Sequence, residues 1–145
     1  MSAIHEWFGY YHAMFRYLER TYGSAEMEEY FRYLAREAYS DVTAQYREKG
    51  LEAVRDRYVA NFRKDGDDGS ATGTLEADVL TMEVRCPAFS HGTPAKHPDR
   101  AVTADLCRYC RQLNAAVLKE AGIDLELQIT APGRCTWSCK KSSKS

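Results

Sequence analysis

The spacing of apolar residues changes from a helical period to a strand period about halfway along this 145-residue chain. Up to residue 63, apolar side chains recur at intervals of three and four, which is typical of helices that bury one face. Residues 80–86 and 123–129 instead alternate between apolar and polar, as half-buried strands do. Helices followed by strands predict an α+β domain.

Three helices are predicted in the first half of the chain. The first covers residues 3–22, the second extends from Ser24 to Gly50, and the third covers about 51–63. Gly23 and Gly50 are expected to end the first two helices, because glycine is favoured just after a helix. Residues 64–73 are predicted to be a solvated loop, and their Asp and Gly residues lack the spacing of an EF-hand.

The second half predicts strand, loop, helix and hairpin. A strand covers 80–86, with a bulge or break near Val79, and a proline-containing irregular loop covers 87–99. A long helix is expected at about 100–121, and strands 123–129 and 134–139 are joined by a tight turn. We therefore expect N-terminal helices packed on a small antiparallel sheet that one long helix crosses. A single domain, 1–145, would comprise a helical half (1–64), a loop (65–73), a cysteine-containing α+β half (74–139) and a frayed tail (140–145).

The composition excludes several classes of function. Apolar residues make up 44% and charged residues 28% of the chain, which is ordinary for a globular protein, and the net charge of −1 gives no basic field for nucleic acid. No apolar stretch approaches the length of a membrane span, and the N-terminus does not resemble a signal peptide. A cytoplasmic location is predicted, where cysteines are usually reduced. The sequence gives no indication of the oligomeric state.

All five cysteines lie between residues 86 and 139, in the pattern C-x20-C-x2-C-x24-C-x3-C. Cys86, Cys107, Cys110 and Cys135 fall at the ends of predicted strands or one helical turn apart, so packing can bring them to a shared site. Thiolates bind zinc and iron–sulfur clusters and are strong nucleophiles, so either a metal site or a catalytic thiol is predicted. The alternative is that some of these cysteines are small buried apolar residues, and Cys110 fits that interpretation best. Cys139 is left out of the site because it precedes the tail, where chains fray.

Other side chains are candidates for acid–base chemistry and for substrate binding. His5 lies seven residues before His12, on the same helix face, and is a candidate for proton transfer, although a surface position is the alternative. His91 and His97 lie in the loop after Cys86 and are candidates to complete a cysteine site.

Arg85 and Arg134 each precede a cysteine and could bind a substrate carboxylate. Adjacent residues on a strand point to opposite faces, so Arg85 and Cys86 share a pocket only if the strand ends there. Tyr10 flanks the apolar face of the first helix and could reach a ligand.

Several short motifs together resemble the L-2-amino-thiazoline-4-carboxylic acid hydrolase family. They are Arg85-Cys86-Pro87, Leu106-Cys107 and Arg134-Cys135-Thr136-Trp137, with Gly122 between the last two. The resemblance covers residues 83–139 most specifically and the rest of the chain loosely. It implies hydrolysis of a carbon–nitrogen bond in a small cyclic amidine-like amino acid. The related 4-vinyl reductase type of ligand-sensing domain implies a structural zinc site instead.

The departures from the family pattern favour thiols over acids. The family usually has an acidic residue three positions after the helix cysteine, where this chain has Cys110, and Cys-Asp-Phe where this chain has Cys135-Thr136-Trp137. Two hypotheses follow. The first is a hydrolase or lyase for a small carboxylated sulfur or nitrogen compound, with Cys86, Cys107, Cys135 and His5 catalytic and Arg85, Arg134 and Tyr10 binding substrate. The second is a non-enzymatic module with zinc or an iron–sulfur cluster on Cys86, Cys107, Cys110 and Cys135.

Overall fold

A computed structural model describes residues 3–90, 104–131 and 133–143 of the chain. In its first half the helices are α1 (Ala3–Tyr22), α2 (Ser24–Glu37), α3 (Ser40–Lys49) and α4 (Leu51–Asp65). In its second half the elements are β1 (Ala71–Glu76), β2 (Val79–Arg85), α5 (Pro87–Ser90), α6 (Ala104–Glu120), β3 (Ile123–Ala131) and β4 (Arg134–Lys141).

The four strands form one antiparallel sheet in the order β1-β2-β4-β3. The C-terminal strand β4 therefore lies inside the sheet, between β2 and β3. Its Cys135 is opposite Val84 on one side and Ile129 on the other. A register shift between Ile129 and Ala131 bends β3 next to the turn into β4. The predicted α+β fold, with helices on a small antiparallel sheet and one long helix, is confirmed.

One face of the sheet packs against the helices and forms the main core. Successive strand residues point to opposite faces, so alternate residues enter this core. Trp137 at its centre is fully buried and contacts the rings of Tyr58 and Phe62 on α4. The opposite face is polar, as shown by the hydrogen bond that the Thr136 hydroxyl donates to Glu83 across β4 and β2. This polar and apolar alternation fixes which side chains can meet α6.

A second, smaller core joins α1 and α2 to the long helix α6. It consists of Phe15, Met27, Phe31 and Tyr109, all of which are buried. The rings of Phe15 and Phe31 meet edge to face with centroids 5.1 Å apart, a favoured aromatic geometry. None of the helices in the described ranges is both long and apolar enough to cross a membrane.

The prediction of a single second helix from Ser24 to Gly50 is wrong, because the chain forms two helices there. The amides of Ala38 and Tyr39 both donate to the carbonyl of Leu34, which closes α2. Tyr39 leaves helical geometry with φ −112° and ψ 16°, and its carbonyl accepts from Thr43 to start α3. After this change of direction, α3 buries Thr43 and Tyr46.

The prediction of three strands is also wrong, because a fourth strand, β1, precedes them. The predicted loop 64–73 is shorter at both ends, since α4 extends to Asp65 and β1 begins at Ala71. The change of parity near Val79 marks a two-residue hairpin turn instead of a bulge. Ala77 and Asp78 form this turn with φ of 49° and 63°, and Glu76 pairs with Val79 across it.

Candidate functional site

Four of the five cysteines line one pocket between the sheet and α6. Cys86, Cys107, Cys110 and Cys135 all face a cavity of about 70 Å³. They come from the end of β2, from α6 and from β4, so only the folded chain brings them together. The remaining wall is mostly apolar, and includes Phe62, Val84, Phe89, Leu106, Leu127, Ile129 and Trp137.

Cys86 is held at the pocket by backbone hydrogen bonds on both sides. Its N–H donates to the carbonyl of Gly133 at 2.7 Å, and its carbonyl accepts from the amide of Phe89 at 3.0 Å. β2 ends at Arg85, and Pro87 begins the short helix α5. Cys86 therefore sits where strand geometry stops, which allows its side chain to reach the pocket.

Gly133 fits this position because of both its backbone and its missing side chain. Its φ is +76°, a conformation that other residues adopt at a cost. A Cβ atom added there would be 2.5 Å from Cγ of the Phe89 ring, far inside normal contact distance. The close approach of Phe89 closes one wall of the pocket next to Cys86 and Cys135.

Cys107 and Cys110 lie three residues apart on α6 and so point toward the same side of the helix. The two residues between them attach this part of α6 to α1. Arg108 forms two hydrogen bonds of 2.7 Å with the Glu19 carboxylate, and the Tyr109 hydroxyl donates to the same group at 3.1 Å. The C-x-x-C turn is thus fixed by an ion pair on one side and faces the pocket on the other.

Two of the thiols accept hydrogen bonds from neighbouring N–H groups. The indole Nε1–H of Trp137 donates to Cys135 Sγ at 3.1 Å. The side-chain amide of Asn114 donates to Cys110 Sγ at 3.3 Å and to the Cys110 carbonyl at 2.8 Å. The Tyr58 hydroxyl donates to the oxygen of the same amide at 2.7 Å. These contacts surround two sulfur atoms with oriented donors.

Burial dominates the proton affinity of the thiols. It raises the pKa of Cys110 well above the usual range, and the neighbouring Cys86, Cys135 and Cys107 act in the same direction. Burial also raises the pKa of Cys135, while the hydrogen bond from Trp137 opposes that shift. Cys110 and Cys135 are therefore protonated at neutral pH, and a buried protonated thiol is a weak nucleophile.

Arg134 and Arg85 occupy different environments, although both were predicted to bind a carboxylate. Arg134 lines the pocket and is exposed. Arg85 is not among the described residues that line the pocket, and its guanidinium binds Asp67 at 2.9 Å. Alternation turns Arg85 away from Val84, which faces the pocket. It does not explain the difference between the two arginines, because Arg134 lies directly opposite Arg85 on β4.

Of the other predicted site residues, Tyr10 does not line the pocket, and the side chains of His5, His91 and His97 fall outside the part of the chain that the structure describes. Tyr10 on α1 is 70% exposed and does not line the cavity in the described structure. The His5 side chain, and all of His91 and His97, lie outside the described residues. His12, seven residues after His5, is buried with its ring centroid 6.4 Å from that of Tyr109. Burial lowers the pKa of His12, and Arg16 contributes in the same direction.

Cys139 does not lie in a frayed tail, contrary to the prediction from its position in the sequence. It is fully buried inside β4, opposite Leu80 and Leu125, and β4 continues to Lys141. Burial raises the pKa of Cys139 to about 12. It belongs to the main core and is not one of the residues that line the pocket.

Asn114 and Trp137 were not predicted to belong to the site, although their spacing was informative. Asn114 follows Cys110 by four residues, which on a helix places both side chains on one face. Trp137 follows Cys135 by two residues, which on a strand does the same. Tyr58 could not be found in this way, because α4 reaches the pocket only through tertiary packing.

Within the described ranges, no three His, Cys, Asp or Glu side chains are already grouped closely enough to hold a metal ion. The four thiols share a pocket without being arranged as a ligand set. No protein-family profile, curated protein or solved structure matches the chain.

Proposed function

We propose that this protein binds a thiophilic metal through Cys86, Cys107, Cys110 and Cys135. The observation that carries the proposal is the convergence of these four thiols, from three separate parts of the chain, on one cavity. Four sulfur donors suit zinc or an iron–sulfur cluster better than they suit magnesium or calcium, which prefer oxygen.

The size and the walls of the cavity favour a small thiophilic ion over an organic ligand. A cavity of about 70 Å³ is well below the range of about 300–1,000 Å³ that is typical of sites for organic ligands. Arg134 is the one residue of a charged type among the described residues that line it, and the wall itself is almost entirely apolar. Apolar walls exclude water and so strengthen the interaction between a cation and thiolates.

The raised pKa values of Cys110 and Cys135 mean that a metal would have to displace a proton from each thiol. Without a metal, burial keeps both thiols protonated. A coordinated thiol loses its proton outright, so metal binding would release protons and would also draw the sulfur atoms toward one another. The binding free energy would then contribute to the stability of the contact between α6 and the sheet.

The second candidate is a hydrolase or lyase at the same site, as the family resemblance implies. The observation that favours it is that Arg134 lines the pocket beside Cys86, Cys107 and Cys135, the cysteines of the family-like motifs. Arg134 would bind the carboxylate of a small sulfur or nitrogen compound. A bound metal would supply a Lewis acid at this place, and a reducing cytoplasm would keep the thiols available.

The experiment is metal analysis of the full chain and of single Cys→Ala variants, purified under reducing conditions. Alanine removes each thiol without burying a new hydroxyl. Cys86→Ala, Cys107→Ala, Cys110→Ala and Cys135→Ala should each lose most of the metal. Because the ligands act together, the losses should not add in double variants.

Cys139→Ala is the matched control, since Cys139 is a buried cysteine outside the pocket. It should keep the metal content of the parent while losing some stability. A parent protein without metal, or pocket variants that keep full metal content, would contradict the proposal. Hydrolysis of a thiazoline carboxylate that is lost in Arg134→Ala while metal is retained would support the enzyme.

A further inference from the structure

Two N–H donors point at sulfur atoms of the four-cysteine pocket, and neither belongs to a proposed metal ligand. We infer that Asn114 and Trp137 are positioning residues that stabilise Cys110 and Cys135 as metal-binding thiolates, with Tyr58 holding Asn114 in its working orientation. This inference rests on the proposed metal site. It assigns a role to three residues, of which only Trp137 belongs to one of the short motifs.

The orientation of Asn114 is fixed by partners on both sides of its amide. Its oxygen accepts from the Tyr58 hydroxyl at 2.7 Å, so its nitrogen faces Cys110. That nitrogen donates to the Cys110 carbonyl at 2.8 Å and to Sγ at 3.3 Å. A flipped amide would put its oxygen against the carbonyl oxygen of Cys110, where two acceptors would repel. The hydroxyl of Tyr58 therefore selects the arrangement that donates to sulfur.

The Trp137 indole is fully buried, and its N–H donates to Cys135 Sγ at 3.1 Å. A buried N–H without a partner is costly, so this contact is expected to persist. A thiol sulfur is a weak acceptor, whereas hydrogen bonds to an ionised group are about twice as strong as neutral ones. The same donor therefore favours the thiolate over the thiol.

The need for these donors follows from the charge that the site would carry. Four thiolates around a divalent ion leave a net negative charge in a mostly apolar pocket, which is unfavourable without compensation. Of the described residues that line this pocket, only Arg134 is of a charged type, and the wall itself is almost entirely apolar. Oriented N–H dipoles at two of the four sulfurs offset part of the charge without adding a cation. Outer hydrogen bonds of this kind tune the affinity and electronics of metal sites.

The test is a Co²⁺ titration of the full chain under reducing conditions. Binding is monitored through the sulfur-to-cobalt charge-transfer absorption. Asn114→Ala and Trp137→Phe should each weaken Co²⁺ binding by about 10- to 100-fold, the usual effect of removing an outer hydrogen bond. Their charge-transfer bands should move to lower energy, because a sulfur that loses a hydrogen bond gives up its electrons more readily. Tyr58→Phe should shift the band in the same direction by a smaller amount, since the amide of Asn114 is then free to turn.

Gln112→Ala is the matched control. Gln112 is another amide on α6 and, of the described residues, it is not one that lines the pocket. It should keep the affinity and the band of the parent. Asn114→Leu keeps the branched shape of the side chain and replaces Asn114→Ala if the latter unfolds, with near-ultraviolet circular dichroism to check folding.

The outcomes separate the two proposals. If the parent binds no Co²⁺, the proposed metal site fails and this inference fails with it. If the parent binds Co²⁺ and the folded Asn114 and Trp137 variants keep its affinity and its band, only the inference is overturned. Weaker binding with an unchanged band also overturns it, because a purely structural role would lower affinity without changing the sulfur electronics.

Discussion

Arg108 forms a two-pronged ion pair with Glu19, with both nitrogen–oxygen distances at 2.7 Å. The guanidinium also lies 4.6 Å from the centre of the Tyr109 ring and 3.3 Å from the Asp105 carboxylate. One arginine thus connects α1 to the turn of α6 that carries Cys107 and Cys110. The position of the pocket's C-x-x-C pair depends on this contact as well as on apolar packing.

Glu19→Gln should destabilise the protein by about 1 to 2 kcal/mol, because Arg108 would lose its charged partner in a partly buried place. Urea unfolding followed by circular dichroism measures this difference. Glu29→Gln is the control, since Glu29 pairs with Arg32 within α2 and both side chains are about half exposed. The control should change stability much less, because an exposed ion pair is screened by solvent. Equal effects of the two substitutions would contradict a special role for the Glu19–Arg108 pair.

The same pair predicts a pH dependence. The hydrogen bond from Arg108 lowers the pKa of Glu19 below its ordinary value of 4.5, while burial acts in the opposite direction. A carboxylate whose pKa is lower in the folded state stabilises the fold fully above the unfolded pKa. That contribution is lost as the pH falls below 4.5 and through the folded pKa. When the free energy of unfolding is measured from neutral pH downward, it should therefore fall less steeply with pH in Glu19→Gln than in the parent. The same pH dependence of stability in both proteins would contradict a lowered pKa of Glu19 in the folded state.

The sequence predicted the fold where one local period dominates. The bounds of α1 at Ala3–Tyr22 match the prediction, because its apolar stripe is long and Gly23 follows it. The interruption at Tyr39 was missed, since it depends on which face of α3 packs in the core and not on a helix-breaking residue. The strand β1 was missed because Ala71, Thr72 and Gly73 have the composition of a loop and gain their structure only by pairing with β2.

The candidate site could be predicted only in part for a similar reason. The grouping of the cysteines follows from motifs at element boundaries, and all four line the pocket. The environments of the two arginines could not be distinguished from sequence, because each precedes a cysteine on a strand and the two lie opposite each other in the sheet. Arg85 pairs with Asp67 from the preceding loop, a contact between residues 18 positions apart that no local pattern reveals.

The hairpin turn between β1 and β2 offers a stabilising change far from the pocket. Ala77 and Asp78 both have positive φ, which costs residues with a Cβ atom about 1 to 2 kcal/mol each. Asn at position 77 and Gly at position 78 are the preferred pair for such a turn. The double variant Ala77→Asn/Asp78→Gly should therefore raise stability by about 1 to 2 kcal/mol. Its metal content should equal that of the parent, and a lower melting temperature would contradict the turn geometry.

A comparison of Gly133 with Gly122 can distinguish two effects of an added Cβ atom, the clash with Phe89 and the backbone strain. Their φ values are nearly equal, at 76° and 75°. An added Cβ at Gly122 would meet nothing within 4 Å, whereas at Gly133 it would lie 2.5 Å from the Phe89 ring. Gly122→Ala should thus cost about 1 to 2 kcal/mol from strain alone. Gly133→Ala should cost about 1 to 3 kcal/mol more, because the ring must move or the turn must open.

Gly133→Ala should also change the pocket, while Gly122→Ala should not. The carbonyl of Gly133 accepts the amide of Cys86 at 2.7 Å, so a displaced turn would move Cys86 away from the other thiols. We expect weaker metal binding in Gly133→Ala at a temperature where the variant remains folded, and unchanged binding in Gly122→Ala. The measurements are urea unfolding and Co²⁺ titration on both variants. Equal destabilisation of the two variants would show that the Phe89 ring can move away from the added Cβ at little cost. Metal binding retained in Gly133→Ala would show that the turn does not control the position of Cys86.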